Sequence, residues 1–126
     1  MSRDRRALGA AGEVRAAAYL AQRGYRIVDR NVRAGGVEID IVARRGRLVV
    51  FAEVKTRRSR ALGAPEAAVD AHRQARLVRA AAAWLRAHPG LARRMRFDVI
   101  ACEPAAGGTG DGWRVRHIEG AFDANG

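Results

Sequence analysis

Two runs of alternating residues in the middle of the chain constrain its fold more than any other feature. Val37 to Ala43 and Leu48 to Val54 flank Arg44-Arg45-Gly46-Arg47, a turn signal, so they read as a β-hairpin. A two-residue loop at Arg45-Gly46 sets Glu38 against Glu53, Asp40 against Phe51 and Gly36 against Lys55. Directly opposed residues share a sheet face, as do residues i and i+2. Glu38, Asp40, Glu53 and Lys55 then point to one side. Val37, Ile39, Ile41 and Ala43 with Leu48, Val50, Ala52 and Val54 make the other side wholly apolar, the side that must be core. A slip of one residue would send the charges into that core.

The rest of the chain arranges itself around this hairpin. Residues 4–23 are alanine-rich with Gly24 at the stop position, which predicts a helix. Tyr25 to Arg33 is β-rich and is broken by Ala34-Gly35-Gly36. Pro65 suits a first helical position, and a long helix is expected from there to Ala87, ended by His88-Pro89-Gly90. Arg96 to Glu103 and Trp113 to Glu119 are the last two strands. The order α-β-β-β-α-β-β predicts an α/β fold, a central mixed sheet of about five strands flanked by helices. A length of 126 residues is the size of one domain, 1–126. Residues 104–112 read as a flexible loop and 123–126 as a frayed end.

Composition narrows the function. No stretch reaches 18 consecutive apolar residues, so no transmembrane helix is expected, and no apolar segment follows the basic N-terminus as a secretory signal requires. The lone Cys102 excludes an internal disulfide framework and a cysteine-based zinc site. A cytoplasmic protein without a membrane partner is the expectation. The chain carries 24 basic and 13 acidic side chains, a net charge of +11, and small domains this basic most often bind polyanions, nucleic acid first. A merely soluble basic surface is the alternative.

Three acids on adjacent strands repel one another, with neighbouring Cβ atoms ~5 Å apart across the ladder. Lys55 offsets one charge, and a hard divalent cation, Mg²⁺ or Mn²⁺, suits the remaining carboxylate oxygens. A network of solvated structural charges is the competing account. Of the 24 basic residues 23 are arginine, and Lys55 is the one lysine. Lysine is a compact charge with a tunable pKa, whereas arginine is a wide fork that stays protonated. A chain that uses arginine nearly everywhere keeps lysine beside the acid cluster.

Asp40 followed by Glu53-Val54-Lys55 is the pattern of the PD-(D/E)xK nuclease superfamily, with its restriction-endonuclease-like fold. Gly12-Glu13, Gly24-Tyr25, Arg30-Asn31-Val32-Arg33, Glu38-Ile39-Asp40, Phe51 to Arg57 and Arg96-Phe97-Asp98-Val99 extend the match. With these motifs the chain resembles the YraN-like family of bacterial endonuclease-like proteins, itself similar to archaeal Holliday junction resolvases. It departs from the family at Val37, where glycine is usual, and at Arg73, where a lysine is usual. The resemblance implies a metal-dependent DNA endonuclease, with junction DNA as one candidate substrate. Asp40 and Glu53 would hold the cation, and Lys55 would act on the attacking water. Glu13, on a helix face with Gly9, Ala16, Ala17 and Leu20, would be the third carboxylate, with a helix-surface acid near the positive N-terminal end as its alternative. Glu38 and Asp98 are candidates for outer positions, each with a structural ion pair as its alternative. Arg57, Arg58, Arg60 and Arg73 are the candidate phosphate contacts, and a solvated surface is the alternative for Arg73. A nucleic-acid-binding module on a nuclease fold, with little turnover, is the rival reading. Oligomeric state, a homodimer included, stays open.

Overall fold

The structure, a computed structural model, describes residues 3–57, 69–91, 94–104 and 112–124. Its elements are α1 (Arg3–Gln22), β1 (Arg26–Ala34), β2 (Val37–Arg45), β3 (Leu48–Thr56), α2 (Ala71–Ala87), β4 (Arg94–Pro104) and β5 (Trp113–Phe122). The strands form one sheet in the order β1-β2-β3-β4-β5. Neighbours are antiparallel except β3 and β4, which run parallel with α2 as their crossover. The sheet is therefore mixed and the element order is α-β-β-β-α-β-β, as the sequence predicts.

Each face of the sheet is covered by one helix. Ala16 and Leu20 of α1 pack with Ile41, Ala43, Leu48, Val50, Ala52, Ile100 and Cys102. Leu77, Ala80, Ala81 and Trp84 of α2 pack with Val42, Val49, Phe51, Phe97 and Val99. The successive apolar residues of β3 thus serve opposite cores, which is why Val49, Val50 and Phe51 are all buried. No helix among the described residues is long and apolar enough to cross a membrane.

Three expectations change. The hairpin loop is Gly46-Arg47, because Arg45 pairs with Leu48, one residue later than the sequence suggested. Gly46 has φ +60°, the sign that a type II′ turn needs at its first loop position; a loop at Arg45-Gly46 would put arginine there. The described long helix starts at Ala71, with Asp70 as N-cap accepting from the Arg73 N–H at 2.8 Å. Pro65 lies outside the described residues, as does most of the loop expected at 104–112.

The third change concerns which side each residue faces. Val37 and Ile39 pack with Val42 in the α2 core, while Ile41 and Ala43 pack in the α1 core. The alternation therefore slips between Ile39 and Val42, and the four residues expected on one face divide between two. Across the ladder Arg30 pairs with Ile41 and Val32 with Ile39, so the register holds through Asn31, which has φ +50°, while the irregularity of this pair lies between Ile27 and Asp29. Asparagine visits this left-handed region more readily than most residues. Asp40 lies at the slip.

Candidate active site

The last β2–β3 pair at this end of the ladder is Ile41 with Ala52. One step further, the Val54 N–H donates not to a strand carbonyl but to Asp40 Oδ2, at 2.8 Å. The corrected register brings Asp40 level with Glu53 rather than with Phe51. Asp40 is partly buried and Glu53 is only 4 % exposed. Burial pushes the Asp40 carboxyl up to about 7; the Glu53 charge and, more weakly, that of Glu13 add to this, and the Val54 N–H pulls the other way.

Two cations meet Glu53. Lys55 Nζ lies 3.4 Å from Oε2. Arg73, in the first turn of α2, donates from Nε to Oε2 at 3.1 Å and from Nη2 to Oε1 at 3.2 Å. The bond to Glu53 raises the Arg73 pKa, with charges on Asp40 and Glu38 assisting. Arg73 is thus engaged with the acid cluster, its side chain remaining 32 % exposed. Sequence reasoning missed this partnership because it began the helix at Pro65. The Asp70 N-cap was the available signal, since it puts Arg73 in the first turn, facing the end of β3.

Glu13 owes its place to Gly12. A Cβ at Gly12 would run into the Thr56 side chain, and the Gly12 carbonyl accepts from Cys102 Sγ at 3.4 Å. The missing side chain lets α1 lie close against the ends of β3 and β4, which brings the Glu13 charge within influence of Asp40. Glu38 is exposed, and its charge is felt at Arg73.

Asp98 lies outside this group. It is fully buried and accepts from Arg96 Nε and Nη2 at 2.8 Å each, with His117 Nε2 at 2.6 Å and the Gly120 N–H at 3.0 Å. Burial alone would raise its pKa, but the bonds to His117, Arg96 and Gly120 outweigh it and the net shift is downward. Arg96 also reaches the Tyr25 hydroxyl at 2.8 Å. The network ties β4 to β5 and to the segment after α1. Arg57 continues from β3, its N–H donating to the Cys102 carbonyl at 3.0 Å. Arg58 and Arg60 lie outside the described residues.

Among the described residues, no three of His, Cys, Asp and Glu stand ready to hold a metal ion. Asp40 and Glu53 offer hard oxygen donors, and the raised Asp40 pKa marks negative charge short of compensation; both properties fit Mg²⁺ or Mn²⁺. Arg73 occupies both Glu53 oxygens, so a cation would share or displace that contact.

A mixed sheet between two helices, with two carboxylates and a lysine where its antiparallel hairpin parts, defines an α/β protein of the architecture expected from the motifs. The chain belongs to the uncharacterised protein family UPF0102, the YraN family, whose sequence profile matches residues 12–102. It is 47 % identical over 123 residues to a UPF0102 protein of Anaeromyxobacter dehalogenans, covering 97 % of this chain and 88 % of that one. It is 46 % identical over 122 residues to one from Geobacter sulfurreducens, covering 97 % and 93 %. It is 45 % identical over 119 residues to one from Symbiobacterium thermophilum, covering 94 % and 98 %. The matched segment contains Glu13, Asp40, Glu53, Lys55 and Arg73.

Proposed function

We propose that the protein is a divalent-cation-dependent nuclease that hydrolyses phosphodiester bonds in DNA. The observation that carries this reading is the meeting of Asp40, Glu53 and Lys55 at the point where β2 and β3 part. Asp40 and Glu53 would hold Mg²⁺ or Mn²⁺, with Glu13 as the third carboxylate. When bound, such a cation polarises the phosphodiester and makes a water more acidic. Lys55, a compact positive charge beside Glu53, would orient the attacking water and offset charge that develops on the phosphate oxygens. Arg57, Arg58 and Arg60, which follow Lys55 in sequence, would position the DNA backbone, and the net charge of +11 would draw DNA to the protein.

One observation favours a second reading, a nucleic-acid-binding protein without turnover. Arg73 already supplies Glu53 with a cation held by two bonds, so the acid cluster is partly compensated by the chain itself.

A single assay separates them. Labelled four-way junction, single-stranded and linear duplex DNA are incubated with the protein in Mn²⁺, in Mg²⁺ and in EDTA. The nuclease reading expects cleavage that EDTA abolishes and either cation restores. Binding without cleavage in every condition supports the second reading, and cleavage unaffected by EDTA overturns the cation-dependent mechanism.

A further inference from the structure

The opposite end of the hairpin carries a second charged assembly, made almost wholly of arginine. Arg26 and Arg44 are cross-strand partners on β1 and β2. Arg45 ends β2, Arg47 is in the loop, and Arg94, paired with Leu48, opens β4. Together with Gly24 and Gly46, the side chains of Arg26, Arg44 and Arg45 line a hollow. Like charges directly opposed across a ladder cost stability, and no ion pair to a described carboxylate is found for any of these five arginines.

Two of them are held in place without being neutralised. The Arg45 guanidinium lies 4.3 Å from the centre of the Tyr25 ring, and its Nη1 reaches the Arg23 carbonyl at 3.4 Å. Arg44 Nε donates to the Gly46 carbonyl at 2.9 Å. The contacts are to a ring face and to backbone carbonyls, so they fix the forks and leave the charge. Gly46 has open space where a Cβ would stand, which leaves the hollow accessible.

We infer that this end of the molecule is a second nucleic-acid contact, an arginine cradle for backbone phosphates. Guanidinium forks match phosphate oxygens in pairs. From β1 to β4 the arginines span three strand spacings, roughly 14 Å, too wide for one phosphate and long enough to face several in a nucleic-acid backbone. A lipid surface would be expected to meet apolar side chains as well. Among the described residues, the exposed large apolar side chains are Val14 and Val28, and neither lines the hollow. Arg44 is four residues from Asp40 along β2, roughly 13 Å, so the cradle is separate from the acid cluster. The inference rests on the proposed reading only for the class of partner.

The test substitutes arginines that stack on no ring. Arg26→Gln/Arg44→Gln/Arg47→Gln and the corresponding triple lysine variant are compared with wild type. Binding to a fluorescent 20-base-pair duplex is measured in Ca²⁺ over a range of salt, after thermal melts establish folding. The glutamine variant should bind more weakly, with a salt slope flatter by about 0.9 for each phosphate that is no longer neutralised. The lysine variant should recover most of that slope, and it carries the comparison if the glutamine variant melts early: a folded lysine variant with weaker binding but a near wild-type slope supports the cradle. Wild-type affinity and slope in the glutamine variant would overturn the cradle, as would wild type failing to bind the duplex. Arginine-dependent sedimentation with phosphatidylglycerol vesicles, with duplex binding unchanged, would overturn it in favour of a membrane. Cleavage in Mn²⁺ is read on the same samples. Weaker binding by the glutamine variant with no cleavage by wild type sinks the nuclease reading and leaves the cradle; cleavage with unchanged binding does the reverse.

Discussion

Glu53 is buried and meets two cations of different shape, Lys55 on its own strand and Arg73 from α2. The shapes matter for what each can do. Lys55 presents one compact charge 3.4 Å from Oε2, while Arg73 closes a planar fork over both oxygens. Lys55→Arg keeps the net charge and places a second fork at a carboxylate that already has one. It is expected to fold and to bind DNA in Ca²⁺ like wild type. Its single-turnover cleavage should fall by the ~10²–10³-fold typical of removing one preorganised electrostatic group. A wild-type rate would remove Lys55 from the mechanism. Arg73→Lys makes the complementary change, since it replaces a two-bond fork by a point charge and frees one Glu53 oxygen. Isothermal titration with Mn²⁺ should then show tighter binding than in wild type. Weaker binding would mean that Arg73 shapes the site instead of competing for it.

At the scale of elements, the approach of α1 to the sheet decides whether Glu13 belongs with Asp40. Two glycines in that helix make the point in opposite directions. Gly9 has nothing within 4 Å of where a Cβ would stand, whereas a Cβ at Gly12 meets Thr56. Alanine is favoured over glycine in a helix by about 1 kcal/mol. Gly9→Ala should therefore stabilise the protein by up to that amount. Gly12→Ala should destabilise it by about 1–3 kcal/mol, the usual cost of forcing extra volume into a packed contact. Thr56→Ala should recover much of that loss, as coupling between touching residues requires. Denaturant melts of Gly9→Ala, Gly12→Ala, Thr56→Ala and the double variant Gly12→Ala/Thr56→Ala give the answer, and equal effects at Gly9 and Gly12 would mean the close approach is not limiting. Much of this scale is legible in the sequence. β2 and β3 stand out because their apolar pattern is long, and Gly12-Glu13 stands out as a motif. The turn is misplaced by one residue because Arg45-Gly46 and Gly46-Arg47 look alike until the sign of φ at the first loop position is considered. The slip at Asp40 is not legible. It coincides with Asn31 in a left-handed conformation on the neighbouring strand and with the Val54 N–H bonded to a carboxylate, and neither leaves a mark in hydrophobic periodicity. Arg73 was recoverable, because an aspartate cap at Asp70 competes with Pro65 as a helix start.

Across the whole molecule, the buried Asp98 and the partly buried Asp40 respond to pH with opposite signs. Asp98 is held below the usual carboxylate range by His117, Arg96 and Gly120, which overcome its burial. Its network therefore contributes stability above pH ~4, the ordinary aspartate value, and that stability is lost as the pH falls through its lower folded value. Asp40 behaves in the reverse way. Burial and Glu53 push it up to about 7, so between pH ~4 and 7 the folded state holds a proton that the unfolded state has released. Stability falls as the pH rises through that window and levels off above it. The metal-free protein should be most stable on the acid side of neutrality, although at +11 it gains charge on acidification and general repulsion opposes the trend. Asp40→Asn keeps an acceptor for the Val54 N–H and removes the charge beside Glu53. Its melting temperature at pH 8 should exceed that of wild type, by roughly 3–6 °C for each kcal/mol relieved in a chain of this size. The two curves should converge near pH 4. Adding Mn²⁺ at pH 8 should raise the wild-type melting temperature and leave Asp40→Asn nearly unmoved. Asp98→Asn should lose stability at pH 8, by the ~3–5 kcal/mol expected when one partner of a buried ion pair is removed, and it should flatten the acid limb instead. A scan of melting temperature from pH 3 to 9 on the three proteins decides the matter: an Asp40→Asn curve parallel to wild type would show that the Asp40 carboxylate carries no strained charge.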